Sequence, residues 1–210
     1  MTDRVIMIFG KPGSGKTTCL AKAACMSLNG KSFLGLPPHP KVYTTFACPG
    51  CYVLEPSALG VYDFHDALLI IDEASQFFDA REWAKFQVHQ RTWFQLHRHC
   101  KCSVIMCSQG AQDCDLRIRN LCQQFYLLTR FVGDWSIIKP IKSFIDVSNN
   151  VIQEGFVFDS PFNWRLIYRK KYYHLFDSFA LHVDYLPNEA PMYPGCNDLV
   201  SGLKHFTLLH

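Results

Sequence analysis

Residues 10–18 read Gly-Lys-Pro-Gly-Ser-Gly-Lys-Thr-Thr and fill every fixed position of the phosphate-cradling pattern G-x-x-x-x-G-K-[ST]. The apolar run Val5-Ile6-Met7-Ile8-Phe9 precedes them, and a stretch rich in small residues from Cys19 to Ser27 follows. Phosphate binding needs that order: a strand stops in a tight loop, and the loop opens a helix whose N-terminal N–H groups face the anion. Gly10, Gly13 and Gly15 permit strained dihedrals and a close approach of backbone to phosphate, while Pro12, Ser14 and Thr18 complete the candidate nucleotide-binding set. Lys16 is expected to reach the β- and γ-phosphates, and the Thr17 hydroxyl to sit on Mg²⁺. The motif therefore implies ATP and Mg²⁺ as the groups bound.

A second anchor is Ala67-Leu68-Leu69-Ile70-Ile71-Asp72-Glu73-Ala74, a continuous apolar strand that ends in two carboxylates. Asp72 is expected to hold Mg²⁺ through water, and Glu73 to orient the water that attacks the γ-phosphate. The adjacent acids favour an ATPase over a small-molecule kinase. The next apolar run, Cys102 to Ser108, ends on Gln109, a candidate sensor of the γ-phosphate or the attacking water; a plain loop role for it stays open. Downstream, Arg117 and Arg119 in Asp115-Leu116-Arg117-Ile118-Arg119-Asn120-Leu121 are candidate catalytic cations, donated to a neighbouring subunit's site, with Arg98 in reserve.

These residues need a scaffold that brings strand ends together. Apolar runs alternating with helical stretches over residues 1–136 imply an α/β P-loop NTPase core: a mostly parallel central sheet with helices on both faces. A further strand is expected at Lys41 to Phe46 and a helix over Arg81 to Cys100, and residues 31–66 are otherwise rich in breakers. From Ile137 the pattern changes: Ile137 to Val147 and Val151 to Asp159 flank Ser148-Asn149-Asn150, predicting a hairpin within a β-rich extension of the same domain over residues 137–185. Residues 186–210, with Pro187, Pro191, Pro194 and Gly195, read as an extended arm.

Taken together, RVIMIFGKPGSGKTT, ALLIIDEAS, FQLHRHCKCSVIMCSQGAQDCDLRIRNLCQQFYLLTR and RKKYYHLFDSF resemble the zonular occludens toxin (Zot) family, which includes the gene-one assembly ATPases of filamentous phages. The resemblance runs from about Arg4 to Phe179. It implies an FtsK/HerA-like ATPase that assembles and exports a single-stranded DNA phage from the cytoplasmic face of the host inner membrane. Carried over, Lys16 and Thr17 are the phosphate and magnesium contacts, Asp72 and Glu73 the magnesium and water residues, and Gln109 the sensor; the finger arginine is less securely placed. The implied partners are further copies of the chain in a ring, phage assembly and coat proteins, and single-stranded DNA. Members of the family typically continue into a transmembrane helix and an extracytoplasmic tail. These 210 residues hold neither, so membrane contact is expected through a missing segment or a partner.

Composition sets the remaining expectations. A net charge of +3 gives no strong polyanion-binding surface, so any nucleic-acid contact must come from local patches. No apolar run of about 18 residues is present, and no signal peptide precedes the first strand. The ten cysteines are then expected as free thiols in a reducing compartment. Cys48-Pro49-Gly50-Cys51 is a C-x-x-C knuckle that Cys100 with Cys102, or His97 with His99, would complete into a zinc site, although the spacing favours packing cysteines. The aromatic and basic run Trp164 to Phe176 suits single-stranded DNA, or equally a partly buried segment whose Arg169, Lys170 and Lys171 are solvated. A small-molecule or nucleoside kinase and a non-enzymatic interaction protein remain the alternatives.

Overall fold

The computed structural model describes residues 2–78, 88–148, 151–159 and 163–176, with residues 145–148 and 151–154 described for backbone alone. Its strands are β1 (Val5–Phe9), β2 (Lys41–Thr44), β3 (Tyr52–Val53), β4 (Ala67–Ile71), β5 (Ser103–Ser108), β6 (Gln124–Arg130), β7 (Trp135–Ser148), β8 (Val151–Phe158) and β9 (Arg165–Tyr168). The α-helices among the described residues are α1 (Lys16–Leu28), α2 (Val88–Leu96) and α3 (Leu116–Leu121). All the strands join one sheet in the order β3-β2-β4-β5-β1-β6-β7-β8, with β9 beside β7. From β3 to β6 every pairing is parallel, and β7, β8 and β9 add antiparallel pairings. The expected α/β architecture with a mostly parallel sheet is what forms.

The unbroken apolar runs of β1, β4 and β5 are explained by burial of every residue in them, the state of a parallel strand covered on both faces. Alternate side chains divide between two cores. Met7, Leu69, Ile71, Val104 and Met106 meet Trp93 and Phe94 of α2 and Ile118 of α3 on one face. Ile6, Ile8, Leu68, Ile70, Ile105 and Cys107 meet Cys19, Leu20, Ala21, Ala23 and Ala24 of α1 on the other. The small residues of α1 let its backbone lie close to the sheet. That closeness fixes where the preceding loop sits.

Two boundaries differ from the sequence reading. The helix expected over residues 81–100 is described as α2 from Val88 to Leu96, and residues 79–87 lie outside the described set. After Leu96 the chain reverses through the bonds His99 N–H to Leu96 O (2.8 Å) and Cys102 N–H to His97 O (2.9 Å), with Lys101 at φ 51°, because it must turn sharply to enter β5. The division placed between residues 136 and 137 falls inside β7, which pairs with β6 of the core. The two strands of the predicted hairpin pair antiparallel, Ser148 with Val151 at the end of the register, and residues 149 and 150 lie outside the described residues. The arm over residues 186–210 lies outside the described residues. No described helix is long and apolar enough to cross a membrane.

None of the nine described cysteines is in a disulfide. Burial pushes the Cys19 and Cys102 thiols up to about 12 and Cys107 well above its ordinary value, so their thiolates stay scarce at pH 8. Alkylation of the folded, unreduced chain at pH 8 is expected to modify half-buried Cys25 before Cys19, Cys102 and Cys107, with no linked peptide pairs in the mass spectrum. Raising the pH to 9 should add little at Cys19. Prompt labelling there would contradict the burial.

Candidate nucleotide-binding site

The loop between β1 and α1 is pinned at both ends. Gly10 N–H donates to Ser108 O at 3.1 Å, tying the loop to the end of β5, and Cys19 N–H donates to Gly15 O at 2.9 Å as α1 begins. A Cβ on Gly10 would stand 2.6 Å from Ser14 Oγ and 2.9 Å from Leu128 O, so only glycine fits. Gly15 sits at φ 94°, a left-handed conformation that aims the chain into the helix. The first turn of α1 carries no acidic residue, leaving the positive end of its dipole uncompensated for an anion. Lys16 Nζ donates to Gly10 O at 2.8 Å, so its ammonium lies across the loop it is expected to serve.

The candidate metal-holding residues lie next to the loop. Thr17 Oγ1 donates to Asp72 Oδ2 at 2.6 Å, joining the first turn of α1 to the end of β4. Asp72 is only 9% exposed, and burial raises its carboxyl above the ordinary value, opposed by the Thr17 hydrogen bond and by Lys16. A buried carboxylate with its charge under-compensated, facing a hydroxyl oxygen, is a hard-oxygen donor set that suits Mg²⁺. Thr45, which the sequence reading missed, accepts the Asp72 N–H at 2.9 Å through Oγ1. It follows β2, the strand parallel to β4, and a hydroxyl at the end of a neighbouring parallel strand was the available signal.

Glu73 occupies φ 51°, ψ 66°, uncommon for a residue other than glycine and the kind of strain found at working sites. Its N–H donates to Asp72 Oδ1 at 3.1 Å, and its carboxylate accepts from Ser75 Oγ at 2.7 Å. Gln109 is exposed and directly follows Ser108, so it lies beside the start of the loop.

The arginines lie elsewhere. Arg117 makes a forked pair with Asp115, with Nε to Oδ1 at 3.0 Å and Nη2 to Oδ2 at 2.6 Å. Arg119 is half-buried, one turn before Cys122, where the chain enters β6 beside the amino half of β1. Helix α3 therefore runs back along the sheet, and following Gln109 closely in sequence does not keep Arg119 at the same edge. Arg98 is exposed in the turn that enters β5, also at the amino edge.

The antiparallel extension reaches the loop from the other side. Ser136 Oγ donates to Ser14 O at 2.6 Å, and Arg169 Nη1 to Gly13 O at 3.4 Å. The expectation that Arg169 is solvated with Lys170 and Lys171 is corrected: those lysines are exposed, but Arg169 is buried against the loop. The zinc constellation does not assemble. Cys48 and Cys51 pack into the α1 face, Cys100 and Cys102 pack on the opposite face, and the sheet lies between. His97 is buried with Nδ1 2.6 Å from Phe94 O. Cys100 instead approaches Asp63 and His65, whose side chains lie 2.6 Å apart, Nε2 to Oδ1.

A glycine-rich loop opening a helix, with an acid pair on the next-but-one strand at the carboxyl edge of a parallel sheet, is the arrangement of a P-loop NTPase fold. A family model described as zonular occludens toxin (Zot) matches residues 53–134, the stretch that holds Asp72, Glu73, Gln109, Arg117 and Arg119. It is the family that the sequence motifs resemble. The crystal structure of the N-terminal domain of zonular occludens toxin from Neisseria meningitidis is similar at TM-score 0.54 and 17% identity, over 84% of this chain and 100% of that one. The genome packaging NTPase B204 of Sulfolobus turreted icosahedral virus 2, in complex with ATP-gammaS, aligns at TM-score 0.43 and 14% identity, over 72% of this chain and 96% of that one. No curated protein matches the sequence.

Because burial raises the Asp72 carboxyl, the fold favours its protonated form, and the cost of its charge grows as pH rises through the raised value. Asp72→Asn should therefore melt higher than the wild type at pH 7 without nucleotide, by about 2–4 °C for each kcal/mol relieved, and the gap should close as the pH falls. Mg²⁺ with ATP is expected to raise the melting temperature of the wild type, and this variant is expected to lose that gain. Differential scanning calorimetry at two pH values checks both, and a variant that melts lower at pH 7 would refute the assignment.

Proposed function

We propose that this chain hydrolyses ATP as the motor of assembly and export of a filamentous single-stranded DNA phage, working in the host bacterial cytoplasm at the inner membrane. The observation that carries the hydrolytic part is the Thr17–Asp72 hydrogen bond at 2.6 Å with Glu73 next in the chain. The phage assignment is supported by the Zot family match. Phage assembly and coat proteins, single-stranded DNA and further copies of the chain are the partners this reading calls for.

The residues divide the work. Loop N–H groups and the end of α1 receive the phosphates, and Lys16 leaves Gly10 O to meet their charge. The Thr17 hydroxyl donates its hydrogen bond to Asp72, so its oxygen lone pairs face away from that bond, and Thr17 and Asp72 are the residues that would hold Mg²⁺. Mg²⁺, when bound, neutralises charge on the β- and γ-phosphate oxygens. Glu73 orients the attacking water once its carboxylate turns from Ser75, and Gln109 senses the γ-phosphate from the end of β5. Within one subunit this set offers no cation on the far side of the γ-phosphate. A neighbouring subunit in a ring supplies it, from Arg117 or Arg119, once released from the contacts each makes within its own chain, or from Arg98.

Phosphate release without any acceptor should be measurable for the purified chain. Lys16→Ala should lose both nucleotide affinity and turnover, whereas Glu73→Gln should keep binding and lose about 10²-fold or more in kcat. Undiminished turnover by Glu73→Gln sinks the hydrolytic reading. Turnover per subunit should rise with protein concentration, and mixing Arg119→Ala or Arg117→Ala chains with Glu73→Gln chains should restore part of the activity through interfaces that pair an intact site with an intact finger. Concentration-independent turnover by a monomer removes the ring.

A further inference from the structure

We propose that Arg169 is a positioning residue for the phosphate loop, acting from behind it to set its N–H groups for an anion and to couple the C-terminal strands to nucleotide binding. The inference rests on the site binding a nucleoside triphosphate. It starts from a side chain whose surroundings are unusual for arginine. Arg169 is 8% exposed, at the join between β9 and the 3-10 turn Arg169–Leu175 that packs on α1. Its Nη1 donates to Gly13 O at 3.4 Å and its Nη2 to Gly133 O at 2.7 Å. Its own N–H is held by Asp134 O at 2.8 Å, while Nε is buried without a hydrogen-bond partner. No carboxylate pairs with it among the described residues.

The aliphatic part of the side chain matters as much as its charge. A Cβ on Gly15 would stand 2.7 Å from Arg169 Cδ and 3.2 Å from Ser136 Oγ, so the glycine leaves room for the extension to close on the loop. Ser136 completes the contact by donating to Ser14 O at 2.6 Å. Gly13 O and Ser14 O belong to the peptide units whose N–H groups are those of Ser14 and Gly15. Donors on these carbonyls hold the two peptide planes; the Ser14 N–H is given to Lys11 O at 3.1 Å, closing the turn, and the Ser136 donor on Ser14 O polarises the Gly15 N–H on the opposite side, strengthening it toward a phosphate. A buried cation without a counter-charge is costly to the fold, and a polyanion bound across the loop offsets that cost. The arrangement thus favours the bound state over the free one, beyond simple packing.

The test uses the full chain and three variants, with ATP affinity measured by calorimetric titration in Mg²⁺ and melting followed without nucleotide. Arg169→Met keeps much of the aliphatic volume and is expected to weaken ATP binding about 10- to 100-fold, the size of a lost charge-assisted contact. Arg169→Lys, which keeps the charge and one donor, should recover part of that loss. Ser136→Ala, with little volume change, should weaken binding a few-fold and keeps the test alive if Arg169→Met does not fold. A structural role alone would lower the melting temperature of Arg169→Met and leave the affinity of folded protein unchanged. ATP affinity equal to wild type in Arg169→Met, or in both Arg169→Lys and Ser136→Ala if Arg169→Met does not fold, overturns the proposal and leaves the hydrolytic reading standing. A wild-type chain that binds no ATP removes both.

Discussion

A carboxylate 9% exposed at the end of a parallel strand needs a partner, and in this chain Asp72 has the hydroxyl of Thr17 at 2.6 Å. That contact spans 55 residues and joins the strand carrying the acids to the helix carrying the phosphate loop. Everything around it serves to hold the two ends in register. The small residues of α1 bring the helix down onto the sheet, Thr45 fixes the Asp72 backbone, and Gly10 locks the loop to β5. Burial raises the Asp72 carboxyl and sets an electrostatic cost on its charge there, which a divalent cation would relieve.

The sheet has two unlike halves, and the loop lies where they meet. The parallel half supplies the acids and Gln109 from strand ends, the usual place for ligands of open α/β sheets. The antiparallel half, β7 and β9, approaches the outer side of the loop through Ser136 and Arg169. A P-loop normally presents its carbonyls outward, and here the outward carbonyls of Gly13 and Ser14 both have donors. The extension is therefore structurally continuous with the site.

Much of this was legible in the chain. The loop, β1, β4 with its acids and β5 with Gln109 follow from contiguous motifs whose local chemistry is constrained, and unbroken apolar runs mark strands buried on both faces. The 148–151 hairpin followed from two apolar segments around Ser-Asn-Asn. What escaped depends on contacts far apart in sequence. Arg169 lies 156 residues from Gly13, and nothing in a basic, aromatic run says which of its cations is buried. The end of α2 at Leu96 and the separation of Cys48 and Cys51 from Cys102 by the sheet are likewise set by tertiary geometry. The path of α3 away from Gln109 shows that closeness in sequence does not place two side chains at one edge.

The central claim is that buried Asp72 and Thr17 together receive a metal-bound triphosphate. Calorimetric titration of the wild-type chain and of Asp72→Asn with ATP, with and without Mg²⁺, tests it most directly. The account predicts tight binding that requires Mg²⁺ in the wild type and a dependence on Mg²⁺ that is lost in Asp72→Asn. Wild-type binding that is indifferent to Mg²⁺, or an unchanged dependence on Mg²⁺ in Asp72→Asn, would contradict it.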